Sequence, residues 1–510
     1  MSQLPKTPSQ ENWIVRIFLW VMAAVLVYNF LNYAAYAFNL IVYPYDLDVG
    51  EGLIINRAWL LSKGENIYSP IDREPYFVMN YTPFFEFILA GLIKVFGPKI
   101  MLGRMLSVGA AVLSGYFIYK IVNNVTRQQV SALIAGLIFF TSSWLICWSV
   151  LCRIDVFALM FVLAGISLVT NQDQPKDFVA IFLSVLCFSA ALYSRQSMIA
   201  APVACAAWYG WNIIKGQDRK RNVEYFKLFL LLFFGITAGV LFALNCVTHG
   251  EFIRHTVFYT MSSFELSDFF KWFKEFWNTH WVLTGISALS VVIAFKKREM
   301  SVPEFFWLFS LLVTITAGKL GASINYFLEF WAANCVLTGL LLSRFERGAL
   351  KWEAHLLGLF FFMLLIIQLL ILHKRIDFTL PSAEYRQASN DMTELIRDSS
   401  GEVLSEYMGY ALQNGKESVY QSFSMAQLAL DGKWDEGRII NDLKNHRFGI
   451  IIMTGVGMEY DRWTPRFKDA INQYYKQTHI FPCFELSYYH HTINVHYVFE
   501  PKDSVTDASK

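Results

Sequence analysis

Charge is what this sequence has least of. Only 16% of its 510 residues are Asp, Glu, Lys or Arg, against roughly a quarter in an ordinary soluble domain. The formal net charge is +2, and no basic run is interleaved with aromatics, so nucleic acid finds no electrostatic footprint. Cysteines are few and spaced without pattern: Cys147, Cys152, Cys187, Cys205, Cys246, Cys335 and Cys483. No CxxC pair or Cys/His cluster has zinc spacing. Most of these thiols lie in apolar runs, where Cys acts as a small hydrophobe. Only Cys483 lies in the polar C-terminal part, which therefore closes no internal disulfide. Internal repeats are missing too, which argues against a lipid or solute transporter built from two related halves. The first apolar run has no small-residue cleavage site and is too long for a signal-peptide core, so it reads as an uncleaved anchor.

What replaces charge is apolar mass. Hydrophobic residues make up 55% of the chain, with 45 Phe, 25 Tyr and 15 Trp. A helix crossing a bilayer needs about 20 mostly apolar residues. Eleven segments qualify, at 13–42, 100–122, 128–150, 154–171, 178–194, 196–214, 225–247, 280–296, 303–320, 324–342 and 352–373. A twelfth run, "TPFFEFILAGLIKVFG" at 82–97, is short and carries Glu86 and Lys94. It reads either as a span or as an amphipathic helix in the interface. The positive-inside rule favours the interfacial reading, because the basic loops 215–222, 296–299 and 343–351 then all face the cytoplasm. That topology places 43–99, 248–279 and everything after 374 on the outer face.

The expected fold is mainly α: a polytopic membrane protein of about eleven spans with a small C-terminal α/β domain. Residues 1–373 form the transmembrane module, with the first outer loop at 43–99, and 374–510 form the periplasmic domain. Within that domain 381–408 reads as helix then strand, 449–454 and 491–499 as strands, and 434–446 and 465–476 as helices.

Carboxylates close to a membrane are costly. Yet "YPYDLDVGEGLIINRAWLLSKGENIY" sets Asp46, Asp48 and Glu51 just beyond the first span. Three other outer turns carry polar groups: "LCRIDVF" with Arg153 and Asp155, "LYSRQSMIAAP" with Arg195 and Gln196, and "AGKLGASINYFLEFW" with Lys319, Asn325 and Glu329. Each has a bland explanation. Asp46 suits a helix cap, Arg153 and Asp155 suit a mutual pair, and Arg195 and Lys319 suit snorkelling to headgroups. Their convergence at one face suits group transfer from a phosphate-linked donor. A carboxylate takes the proton from an attacking hydroxyl, and fixed cations hold the departing phosphate. With no nucleotide sugar on the outer face, the donor arrives in the bilayer as a lipid-linked sugar.

Weaker motifs carry less. Gly455-Val456-Gly457 follows a strand, but Tyr460 stands where a dinucleotide fingerprint needs its third Gly, so a turn is expected. His490 and His491 point to opposite faces of a strand, and with His496 they share no metal. The aromatic stretch 264–277 reads as a membrane-anchoring belt.

The stretches "DVGEGLIINRAWLLSKGENIY", "NYTPFFEFILAGLIKVFG" and "GRMLSVGAAVLSGYFIYKIV" resemble the opening of GT-C glycosyltransferases. The branch is the one containing protein O-mannosyltransferases and the lipid A aminoarabinose transferase. "CRIDVFALMFVLAGI" is similar to its second outer loop, "SRQSMIAAP" to a later turn and "GKLGASINYFLEF" to a late-loop motif, so the resemblance runs over about 13–345. It implies a bacterial inner-membrane enzyme that transfers sugar, with inversion, from a polyprenyl-phosphate donor to a lipid, glycan or protein acceptor. It also implies Asp48 as catalytic base, with Asp46 as the rival because the first-loop acids align in two ways. Glu51 and Asp155 would assist, orient the acceptor or hold a divalent cation. Arg153, Arg195 and Lys319 would bind the donor phosphate, and Tyr81, Gln196, Asn325 and Glu329 would position substrate. Relatives of the lipid A type carry a Lys beside the proline motif, where this chain has Asn80, Tyr81 and Thr82 before Pro83. The rival enzyme is an O-antigen-ligase-like transferase with a pyrophosphate donor. That class keeps its key basic residues in one large late loop, whereas the acids here lie in the first.

Overall fold

The computed structural model describes residues 13–171, 178–216, 218–346, 353–455, 462–486 and 492–502. Helix α1 (Trp13–Val42) runs without Gly or Pro and stops before Tyr43, the residue preceding Pro44. Asp48 then caps α2 (Val49–Ser62) by accepting from Gly50 N at 2.8 Å. Pro83 opens α3 (Phe84–Phe96), and Gly97, with φ +79°, ends it. Then come α4 (Ile100–Thr126), α5 (Gln129–Ile138), α6 (Ser143–Ser149), α7 (Ile154–Val169), α8 (Phe178–Ser194), α9 (Ala200–Lys215) and α10 (Arg219–Val247). The short α11 (Glu251–Ile253) leads to α12 (Leu266–Lys296), α13 (Val302–Val313), α14 (Leu328–Glu346) and α15 (Glu353–His373).

Each of the eleven apolar segments is mainly helical over its described residues, and the protein is mainly α with a small C-terminal sheet, as expected. Five described stretches are long and apolar enough to cross a bilayer: Arg16–Val42, Ile100–Thr126, Arg219–Val247, Leu266–Lys296 and Ile324–Glu346. The segment 128–150 is a broken helix, bent by 74° between α5 and α6. At 13 residues, α3 is about 20 Å long, short of a roughly 30 Å hydrocarbon core. It turns Phe85, Leu89 and Ile93 inward and leaves Phe87, Ile88, Val95 and Phe96 exposed. From Leu266 onward the aromatic stretch 264–277 is the first part of α12.

The C-terminal region runs α16 (Ala383–Asp398), β1 (Glu402–Ser405), α17 (Met408–Gln413), α18 (Ser422–Leu430), α19 (Gly437–Lys444), β2 (Phe448–Thr454), α20 (Pro465–Tyr474), β3 (Tyr475–Glu485) and β4 (Thr492–Pro501). The sheet order is β1-β2-β4-β3; β1 and β2 are parallel and the other pairs antiparallel. Strand β3 was not foreseen. It lies on an edge, carries Pro482 and shows no clean alternation of buried and exposed residues, so periodicity gives no signal for it. Gly457, Tyr460, His490 and His491 lie outside the described residues.

Alternate residues of each central strand face opposite layers. Val403, Ile450, Ile452 and Val498 join the large core that also holds the membrane helices. Leu404, Ile451, Met453 and Phe499 pack under the outer helices of the domain, in a cluster that includes Ile71, Tyr76 and Val78 of the first loop. Backbone bonds from Tyr76 N to Val419 O (2.7 Å) and from Gln421 N to Tyr76 O (3.0 Å) stitch that loop in. The sheet is thus pinned to the membrane module on one side and clasped by its first loop on the other.

Candidate active site

The site begins with an arginine. Arg104, near the start of α4, is fully buried and uses its whole fork. Its Nη1 donates to Leu40 O and Tyr43 O, both at 2.6 Å, so it caps the C-terminal end of α1. Its Nη2 reaches Tyr45 O (2.7 Å) and Glu51 Oε2 (2.6 Å), and its Nε reaches Glu51 Oε1 (2.8 Å). Glu51 also accepts from Leu47 N and Cys152 N, both at 2.7 Å. Its two oxygens are therefore fully engaged, and it has no surface open to solvent. That geometry makes Glu51 a positioning residue that fixes the Asp46–Asp48 turn, rather than a group available to acceptor or metal.

Asp48 is held differently. One oxygen caps α2 and also pairs with the Arg153 guanidinium, and both side chains keep some exposure, 18% and 16%. Arg153 reaches it across Gly50, where a Cβ would lie only 2.1 Å from the guanidinium. Arg153 also sits over the Trp148 ring at 5.3 Å, and Trp148 Nε1 donates to Asp155 Oδ2 at 2.7 Å. Asp155 Oδ1 pairs with Arg195 and accepts from Asn325 Nδ2 at 2.8 Å. Arg195 stacks on Tyr326 at 4.5 Å and bonds Asn325 O at 3.2 Å. Tyr81 is half-buried within electrostatic reach of Asp155, Arg153 and Arg195, and burial raises its phenol to about 12. Two ion pairs are thus bridged by Trp148 into one continuous network.

Several buried atoms in this network lack a partner: Arg153 Nε, Arg195 Nη2, Asn325 Oδ1 and Glu329 Oε1. Unmet hydrogen-bonding capacity at such depth is costly, and the unused donors sit on the two arginines.

The other expected residues are more scattered. Asp46 turns toward the C-terminal domain and accepts from Gly409 N at 3.0 Å. Burial, first, and the nearby Glu51 carboxylate push its carboxyl well above the usual range. Gln196 is exposed and donates to Asn80 O at 2.7 Å, at the rim. Lys319 is half-buried in the loop between α13 and α14, and among the described residues no side-chain hydrogen bond or ion pair joins it to the network.

The carboxylates do not fit a divalent cation. Among the described residues no group of three His, Cys, Asp or Glu is placed to hold one. Glu51 is saturated, and Asp48 and Asp155 each face a guanidinium. Sequence reasoning missed Arg104, Trp148 and Tyr326. "GRMLS" showed an arginine at a span start without showing what it holds.

Comparison with known proteins follows this geometry. Residues 80–242 match the family described as dolichyl-phosphate-mannose-protein mannosyltransferase. No curated protein matches the sequence. The crystal structure of ArnT from Cupriavidus metallidurans bound to undecaprenyl phosphate superposes with a TM-score of 0.59 at 10% identity, over 98% of this chain and 99% of that one. AglB from Archaeoglobus fulgidus, in complex with an inhibitory peptide and a dolichol-phosphate, superposes at 0.59 and 12% identity, over 92% of this chain and 74% of that one. The family match covers residues 80–242, about a third of the chain, and the likeness to ArnT and AglB is one of fold, shared over nearly the whole length of this chain.

Proposed function

We propose that this protein transfers a sugar from a polyprenyl-phosphate-linked donor to an acceptor at the outer face of the membrane, the periplasmic face of a bacterial inner membrane, with inversion at the anomeric carbon. The observation that carries the reading is the pairing of Asp48 and Asp155 with two arginines that retain unused buried donors, Arg153 Nε and Arg195 Nη2. Guanidinium forks suit phosphate oxygens. The lipids named in the ArnT and AglB structures, undecaprenyl phosphate and dolichol-phosphate, are of the same chemical class.

The chemistry runs in one displacement. The donor phosphate takes up the spare donors on Arg153 and Arg195, with Lys319 swinging in from its loop. Drawing Arg153 toward phosphate loosens its hold on Asp48 and frees that carboxylate to accept a proton. The acceptor hydroxyl attacks the anomeric carbon as Asp48 removes its proton. The bond from the anomeric carbon to the phosphate oxygen breaks, and the polyprenyl phosphate leaves with the electron pair, stabilised by the arginines. Asp155 keeps Arg195 in place. Asp46, held by the C-terminal domain, is not the base in this scheme.

Turnover of purified protein against a panel of polyprenyl-phosphate sugars tests the reading. Asp48→Asn should lower turnover by about 10²–10⁴ while leaving polyprenyl-phosphate binding nearly intact. Asp46→Asn should be mild. A large loss in Asp46→Asn with normal turnover in Asp48→Asn would move the base by two residues.

A further inference from the structure

The C-terminal domain places a second carboxylate beside Asp48. Leu486 N donates to Leu47 O at 2.9 Å, so the end of β3 is sewn to the first loop one residue before Asp48. Glu485 and Asp48 therefore flank a single backbone hydrogen bond. Asn494 Nδ2 holds Glu485 Oε2 at 2.8 Å across the β3–β4 ladder, where Phe484 pairs with Ile493 and Glu485 with Thr492. Glu485 remains partly exposed in a strand end whose preceding two residues are buried. It thus resembles Asp48 and Arg153, which keep an opening in an otherwise closed surround.

Other groups gather at the same place. The Tyr407 hydroxyl is buried and has no hydrogen-bond partner among the described residues, and Glu485 and Asp48 both act on it. His496 packs edge-on against Tyr407 at 4.7 Å, with both ring nitrogens unpartnered. Burial, first, and then the Asp48 carboxylate raise the Glu485 carboxyl, while Arg462 lowers it and Glu406 raises it further. The donor mechanism uses none of Glu485, Tyr407 and His496. An orphaned hydroxyl in dry surroundings calls for a hydrogen-bonding ligand.

We propose that Glu485, held by Asn494 and joined by the Tyr407 hydroxyl, forms an acceptor subsite facing Asp48, and that the acceptor's reacting end is a neutral sugar hydroxyl rather than a phosphate. A carboxylate oxygen and a tyrosine hydroxyl suit neighbouring sugar hydroxyls, one accepting and the other donating or accepting. An anionic nucleophile would enter between two carboxylates, and like charges so close are repelled. Arg153 pairs with Asp48 from the membrane module, while Glu485 reaches it from the C-terminal domain, so donor and acceptor would draw on separate parts of the chain. This inference rests on the proposed glycosyl transfer, with Asp48 as base.

The test uses the full chain in detergent and two probes. One is polyprenyl phosphate alone; the other is an array of neutral oligosaccharides beside the same oligosaccharides carrying phosphate. Wild-type protein should bind neutral members more tightly than their phosphorylated counterparts. Glu485→Gln and Tyr407→Phe should each weaken that binding by about tenfold or more, with polyprenyl-phosphate affinity retained as the sign of an intact fold. Preference for phosphorylated members, no oligosaccharide binding by the wild type, or unchanged binding in both variants would each overturn the acceptor subsite. Loss of polyprenyl-phosphate binding in the wild-type protein would instead overturn the donor reading on which it rests.

Discussion

A single buried arginine decides where the first-loop acids stand. Arg104 ties the carbonyls of Leu40, Tyr43 and Tyr45 to Glu51, so the chain between α1 and α2 has one conformation. Glu51→Gln keeps the volume but leaves the guanidinium short of its counter-charge. Breaking a fully buried pair in this way costs about 3–5 kcal/mol. A large drop in the thermal midpoint is expected, with polyprenyl-phosphate affinity falling only as the folded fraction does. A fully folded, heat-stable but inactive Glu51→Gln would restore a catalytic role to Glu51. For the arginines and Lys319 a loss of donor binding is expected, and Arg195, buried against Asp155, shares the stability cost as well. Arg195→Gln, Arg153→Gln and Lys319→Gln should each weaken polyprenyl-phosphate binding by about 1–3 kcal/mol, measured by titration on folded protein. Unchanged affinity in all three would remove phosphate binding from the mechanism.

Among elements, the first outer loop is the piece most dependent on its neighbours. Helix α2 meets α17 closely: a Cβ on Gly52 would lie 2.4 Å from Gly409 N. On the far side of the loop, His255 bridges two of its strands of chain. Met79 N donates to Nδ1 at 3.0 Å, which places the proton on Nε2, and Nε2 donates to Ser69 O at 2.7 Å. Burial lowers its imidazolium from 6.5 to about 4, with Arg57 adding to the effect; Glu251 approaches to 4.0 Å. Between those pH values the unfolded chain binds more protons than the folded one. The His255 contribution is therefore complete above about pH 6.5 and declines as pH falls toward about 4. His255→Gln should flatten that part of the pH–stability curve, read as thermal midpoints of purified protein from pH 7.5 to 4.5. An unchanged slope would show that carboxylates alone set it.

For the whole molecule, the central question is which side of the membrane holds the C-terminal domain. Its sheet, the first loop and the Asp48 network form one continuous assembly, so the domain and the site share a face. In the proposed topology the basic loops at 215–222 and 296–299 face the cytoplasm, and that face then lies outside the cell membrane. A reporter that is active only in the cytoplasm, fused after Lys510, should be silent, and one that is active only outside should report. The reverse would make α3 a span after all. The joint also sets a constraint on truncation, because Ile71, Tyr76 and Val78 lie in the domain's own core. Neither part keeps a complete hydrophobic surface without the other.

The sequence alone determined the membrane character, the eleven helical segments and the sites of the outer acids, because each depends on local composition. Apolar runs report burial in lipid wherever they fold, and a carboxylate beside such a run is conspicuous at any distance. It also gave the pairing of acids with arginines in the "CRID" and "SRQ" turns as a convergence, without the partners. Tertiary structure alone decided that Arg153 pairs with Asp48 while Asp155 pairs with Arg195, although Arg153 and Asp155 are two residues apart in the chain. It alone showed Glu51 saturated by Arg104, and Glu485 brought to Asp48 from 437 residues away, the difference between their positions. These contacts arise where segments remote in sequence are packed together, and no period or spacing in a single segment records which partner arrives.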